Sequence, residues 1–213
     1  MKSPVLGVLA LFFTFTAAAQ YGYRDANYIG FIGGITQTAL NTNNFNAVQE
    51  LGWNVGLSVR GNFYNDFDMV YAMQFSENKF SATTISPTLG RQDVTYKIDG
   101  VQIYLTPSYK IVEDCLSIEA GPVLQVNGKL KYDKKFADNV IEETNITVKG
   151  LENVSTFNIL GAVGITAGVR NVRANVQYLF GFNNFLSGVK DDVTKETFKG
   201  HLGILSGNLV IYF

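Results

Sequence analysis

Along much of this chain apolar and polar residues alternate one for one. From Trp53 to Arg60 the odd positions are Trp, Val, Leu and Val, and the even positions are Asn, Gly, Ser and Arg. A period of two marks a strand with one apolar and one polar face. Val101, Ile103 and Leu105 repeat the pattern against Gln102, Tyr104 and Thr106. Val172, Ala174, Val176 and Tyr178 do so against Arg173, Asn175 and Gln177, and Phe157, Ile159, Val163 and Ile165 follow more loosely. Eight strands are predicted, over about 27–36, 52–61, 67–79, 95–110, 116–130, 156–170, 172–182 and 200–213. The first and third are ambiguous in parity, because Tyr28 to Ile35 alternates glycine with apolar residues on both faces.

The connections alternate in length. Residues 36–50, 80–94, 131–154 and 183–199 make long ones, whereas 62–66, 111–115 and the turn at Asn171 are short. In an up-and-down sheet all the long connections then lie at one end. Outer-membrane barrels have this asymmetry, with short periplasmic turns and longer external loops. The expected fold is all-β: an eight-stranded antiparallel up-and-down transmembrane β-barrel forming a single domain over 20–213. A soluble lipocalin-like barrel would place its polar faces outside. Here those faces carry Gly56, Ser58, Ala72, Gly121, Ala162, Gly164, Gly168 and Ser206, which suit a narrow lumen, while the bulky apolar faces suit lipid. The lipocalin reading also lacks a Gly-x-Trp in the first strand, since Trp53 follows Gly52 directly and in the second.

Lipid leaves no partner for an open sheet edge, so the eighth strand is expected to close on the first. Phe213, Ile211, Leu209 and Leu205 share one parity with Gly207 and Gly203, giving a lipid-facing stripe that ends in an aromatic residue. Asn208 and Ser206 face the lumen. The pattern looks like the C-terminal signal read by the barrel-assembly machinery, which makes that machinery an expected partner.

The start, MKSPVLGVLALFFTFTAAAQ, combines a basic Lys2, an apolar stretch from Val5 to Phe15 and small residues at 17–19. This is the pattern of a secretory signal peptide over 1–19, with cleavage after Ala19 or Gln20. No cysteine follows, so a lipid anchor is not expected, and no later run reaches the ~18–20 apolar residues of a membrane helix.

Composition alone would pass for a soluble protein, at 46% hydrophobic and 16% charged residues. The 21 glycines, 11 tyrosines and 16 phenylalanines favour strands and turns. A net charge of -1 gives no field to recruit nucleic acid. Cys115 stands alone, which excludes an intrachain disulfide and a cysteine-rich metal site.

With its signal peptide, alternating strands, one-sided loops, early YIGFIGGI strand after the AAAQ junction and terminal LSGNLVIYF, the mature chain resembles the PorT-like family of outer-membrane β-barrels. It is similar in architecture to the small OmpX and OmpA barrels. The resemblance implies the bacterial outer membrane, with outer-membrane lipid and lipopolysaccharide as surroundings. For PorT itself it suggests protein secretion, a role that no motif here supports.

Four charges are expected inside. Arg60, Asp68, Glu119 and Arg173 all point inward near the short-turn end, where they would pair across the lumen as a plug or line a gate or proton path. His201, the single histidine, lies at the outer rim with the lipid-facing parity of Phe213. Some small barrels use such a histidine with serine and an acid to modify lipid A, but Leu202 and Gly203 follow His201 and no serine stands two residues on. The loops mix Lys131, Lys134 and Lys135 with Asp133, Asp138, Glu142 and Glu143, and Lys190 and Lys195 with Asp191, Asp192 and Glu196. These read as solvated runs without calcium-cage spacing, able to contact lipopolysaccharide, a neighbouring protein or a host surface. Asn145 and Asn153 begin glycosylation triplets, which an outer-membrane barrel does not use. No catalytic site, metal site or cofactor is expected. Three functions stay open: a structural, interaction or secretion-accessory barrel, a narrow porin, and a lipid A-modifying enzyme.

Overall fold

The structure, a computed structural model, describes residues 27–86, 89–191 and 193–213. The expected signal peptide and its cleavage point lie outside these residues, as does Asp192. The strands are β1 (Tyr28–Thr42), β2 (Ala47–Tyr64), β3 (Phe67–Ser86), β4 (Gly90–Val112), β5 (Leu116–Asn127), β6 (Val140–Ile141), β7 (Phe157–Gly168), β8 (Val172–Gly181) and β9 (Gly200–Tyr212). All except β6 form an antiparallel ring in chain order, and β1 pairs with both β2 and β9. Phe31 thus lies between Leu57 and Ile211. β6 pairs on β3 at Thr84 and Ile85.

The expected parities hold around the ring. Trp53, Val55 and Leu57 are exposed on the outside, while Asn54, Ser58 and Arg60 are buried within. The outward row of β2 runs from Trp53 to Phe63, which at ~3.3 Å per residue and a tilt near 40° is an apolar band about 25 Å tall. Aromatic residues mark both margins. Phe67 meets Tyr109 at 5.2 Å and Phe31 meets Phe213 at 5.7 Å by the short turns. At the other margin Phe180 meets Phe182 at 5.1 Å. Phe180 also packs against Gly161, where a Cβ would stand 2.5 Å from the ring's Cζ.

The strands extend further outward than the alternation predicted. Most of 36–50 and 80–94 is strand where long loops were expected, with a short turn at 43–46 and Ser86 opposite Gly90. The cause is a change of surroundings. Up to Phe75 the outside of β3 is apolar and meets lipid, while Asp68, Val70, Ala72 and Gln74 point inside. Above Phe75 the outside carries Glu77, Lys79 and Thr83, while the inside carries Phe80 and Ala82. β4 inverts likewise, with Asp93, Thr95, Lys97 and Asp99 outside and Val94, Tyr96 and Ile98 inside. Beyond the membrane the exterior is water, so the apolar parity changes face and a period count breaks there.

The connections 128–156 and 182–199 are irregular but folded: most of their charged side chains are exposed, as solvated runs imply, Asp191 is buried, and apolar residues between the charges form a core. The first contains 3-10 turns at Lys134–Phe136 and Val148–Glu152 and buries Ile141, Ile146, Val148 and Leu151. The second buries Phe185, Leu186 and Val189, and both pack on Leu40, Phe80, Tyr96, Ile98 and Ile204 as one core. Each such side chain contributes about 1.5–3 kcal/mol when withdrawn from water. The Ser155 N–H donates to the Phe185 C=O at 2.8 Å, joining the two segments.

At the closing seam the Phe213 N–H donates to the Ile29 C=O at 3.0 Å and its ring covers Phe31. Phe213→Asp places a charge in this aromatic margin. Its expected outcome is reduced membrane insertion, read as loss of the heat-modifiable species on gels of isolated envelopes.

Candidate functional site

The inside of the barrel is where its charged side chains converge, and alternation on each strand places them there. Arg60 on β2 is the hub. One Nη donates to the Asp68 carboxylate at 3.1 Å and to Ser108 Oγ at 2.9 Å, and the other pairs with Glu119. The Glu119 Oε2 also accepts from Asn175 Nδ2 at 3.3 Å. Lys110 Nζ reaches the other Asp68 oxygen at 3.4 Å. Three of the four expected charges therefore form one network, and Lys110, near the end of β4, joins it.

Arg173 points inward as expected but does not meet those acids. Its Nη2 lies 3.5 Å from the Asp114 C=O and 3.7 Å from the Asp114 carboxylate, in the β4–β5 turn. Asp68 and Glu119 are already engaged by Arg60, which leaves the turn as its counter-charge. Turn residues show no periodicity, so nothing in the pattern pointed to Asp114.

Amides and hydroxyls extend the network around the ring. Asn175 donates to Thr166 Oγ1 at 3.0 Å and accepts from Asn208 at 3.1 Å, Ser206 donates to Asn208 at 3.1 Å, and Asn54 donates to Ser206 at 3.0 Å. On the other side Tyr104 donates to Gln102 at 2.8 Å, Gln102 to Gln125 at 2.9 Å and Gln125 to Asn127 at 2.7 Å. A cavity of about 20 Å³ remains among Arg60, Gln74, Glu119, Gln177 and Tyr212, room for roughly one water molecule. Directly above, the apolar core under the folded connections closes the outer half.

The remaining candidates stay apart from this network. His201 is exposed on the outer face, as its parity indicated, and its Nδ1 contacts the Gly181 carbonyl oxygen at 3.2 Å. Asp191 is buried and fastens the two irregular connections. Its Oδ1 accepts from the Val193 and Thr194 amides, each at 2.8 Å, and its Oδ2 from Asn145 at 3.3 Å. Among the described residues no group of three or more His, Cys, Asp or Glu side chains is placed to hold a metal. Lys131 pairs with Asp99, Arg91 with Glu142, Lys135 with Asp133 at 2.9 Å and Lys129 with Glu152 at 3.5 Å. These exposed pairs contribute little to stability.

Three variants test this account. Arg60→Met leaves Asp68 and Glu119 buried without their cation, a loss of about 3–5 kcal/mol. The expected readout is heat-modification at lower temperature, with Glu119→Gln milder because it keeps hydrogen-bonding capacity. The Thr194 amide, then those of Val193 and Asn145, hold the Asp191 carboxyl below its usual range. A depressed folded-state value stabilises the clasp above the unfolded pKa of 3.8 and withdraws that stability as pH falls through the folded value. Amide exchange at Val193 and Thr194 should quicken below that pH in the wild type and be fast at all pH values in Asp191→Ala.

No family model matches the chain and no curated protein matches it. Solved structures do. Ail, the attachment invasion locus protein of Yersinia pestis, in complex with the heparin analogue sucrose octasulfate, is similar at 14% identity over 88% of this chain and 99% of that one, with a TM-score of 0.51. Neisserial surface protein A is similar at 12% identity over 89% of this chain and 100% of that one, with a TM-score of 0.50. At such identities the likeness is one of fold. It agrees with the closed ring and the apolar exterior: the chain is a small eight-stranded outer-membrane β-barrel, and the bacterial outer membrane is where its exposed apolar band is at home.

Proposed function

We propose that the protein is a closed, non-conducting barrel that acts as a structural and interaction protein of the cell envelope, holding a folded cap outside the membrane. The observation that carries this reading is the filled lumen. Ion pairs and the Asn175–Asn208 amides occupy its periplasmic half, the Gln102–Gln125–Asn127 ladder lies above them, and an apolar core lies under the folded connections in its outer half. A solute would have to break these layers, and an eight-stranded ring leaves no further width. A narrow porin finds no support in this packing.

The same reading includes no catalysis. The His201 ring nitrogen contacts a main-chain carbonyl, whereas a lipid A-modifying site of the expected kind needs a base within reach of an activated hydroxyl. A part in secretion, as in PorT, rests on the resemblance alone. Lipopolysaccharide around the outer margin and the assembly machinery at β9 complete the proposed surroundings, with Phe213 and Ile211 as the aromatic and apolar residues presented there. Purified protein in planar bilayers should give no steady conductance steps; stable open channels would overturn the proposal.

A further inference from the structure

Above the lipid-facing rows β4 keeps β3 on one side and loses β5 on the other. β5 ends at Asn127, and the chain beyond it makes three more main-chain bonds to β4. Gly128 N–H donates to the Asp99 C=O at 2.9 Å, Lys97 N–H to the Lys131 C=O at 2.8 Å, and Lys131 N–H to the Lys97 C=O at 2.7 Å. The chain then leaves into the turn at Lys134–Phe136. On an antiparallel strand alternate residues direct their main-chain groups to the same side. The N–H and C=O of Thr95 and Asp93 therefore point where those of Lys97 point, and among the described residues nothing pairs with these four groups. Both residues are exposed.

An unpaired edge is ordinarily blunted by proline, a bulge or a covering segment. Here the β3–β4 ladder runs without a register shift from Phe67 opposite Tyr109 to Ser86 opposite Gly90, and no proline interrupts β4 between Gly90 and Thr106. Beside the edge lies an open cleft of about 460 Å³. Asp93, Val94, Thr95 and Lys97 of β4 line it on one side, and Lys131, Tyr132, Asp133 and Phe136 on the other.

We propose that this edge takes an extended polypeptide segment as an added antiparallel strand. The segment places apolar residues against Tyr132 and Phe136, polar residues outward, and a basic residue opposite Asp93. Opposite charges facing each other across strands are favourable, and the main-chain groups supply the rest of the recognition. The proposal rests on the reading of the cap as an interaction surface and names the chemistry of the partner.

The test uses the full barrel in nanodiscs and a fluorescein-labelled probe peptide, Val-Thr-Val-Lys-Val. Saturable binding is expected, with slowed amide exchange at Thr95 and Asp93. Thr95→Pro removes one edge donor and leaves the bonds to β3, so it should weaken binding about tenfold, in line with a lost main-chain bond and a blocked neighbour. The same peptide N-methylated at its bonding amides should fail on the wild type, a control that requires no variant to fold. Asp93→Lys should reverse the preference toward a peptide with Glu in place of Lys. Undiminished binding to Thr95→Pro, equal binding of the methylated peptide, or edge protection that grows with barrel concentration and no peptide, as pairing of two copies would give, overturns the proposal. Conductance is not the readout, so failure here leaves the closed-barrel reading in place, and a conducting barrel that binds the probe overturns only that reading.

Discussion

A strand crossing hydrocarbon has no solvent to receive an unpaired amide, and that constraint organises this molecule. It forces β1 to bond β9 as fully as it bonds β2, from Gly30 opposite Tyr212 to Thr42 opposite Gly200. Once the ring is closed with eight strands, its bore is fixed at about the width of two facing side chains. Inward polar groups then find their partners chiefly among themselves: Arg60, Asp68 and Glu119 form a compact ion network, and asparagine and glutamine ladders extend around the circumference.

A second boundary is set by the membrane margin. Hydrocarbon on the outside demands apolar exteriors and tolerates polar interiors; water reverses both. β3 and β4 cross that boundary without interruption, with the apolar parity passing from Phe75 outside to Phe80 inside. The outer third of the protein is thus a water-soluble fold with a core of its own, built on the same strands as the membrane wall. Asp191 and Ser155 tie its two irregular connections into one unit.

The wall was legible because side-chain parity and surroundings agree there: Trp53, Val55 and Leu57 could be placed outside, and Arg60 and Glu119 inside, by counting in twos. The upper strands were not, because the rule that relates parity to exposure changes at the margin, so Phe80 to Val94 read as a loop. The cap core was hidden for another reason. Ile141, Ile146, Val148 and Leu151 are scattered among lysines and acids with no regular spacing, and only the turns at 134–136 and 148–152 bring them to one side. Arg173 was legible in direction but not in partner, since its counter-charge comes from a turn. The resemblance to PorT-like proteins conveyed architecture; the matched structures share that architecture at identities too low to convey more.

The unbroken course of β3 has a mechanical meaning. Near its two ends this 20-residue strand is held by Asp68, bound to Arg60 and Lys110 on the periplasmic side, and by Thr84, bonded to the cap through β6 and Asn139 on the other. At ~3.3 Å per residue the two points lie on the order of 50 Å apart along one strand, stiffened by ladders on both flanks over most of that length. A load applied to the hairpin outside the cell is carried along this rod toward the periplasmic end, where the Asp68 side chain anchors it to Arg60 and Lys110 in addition to the ladder bonds.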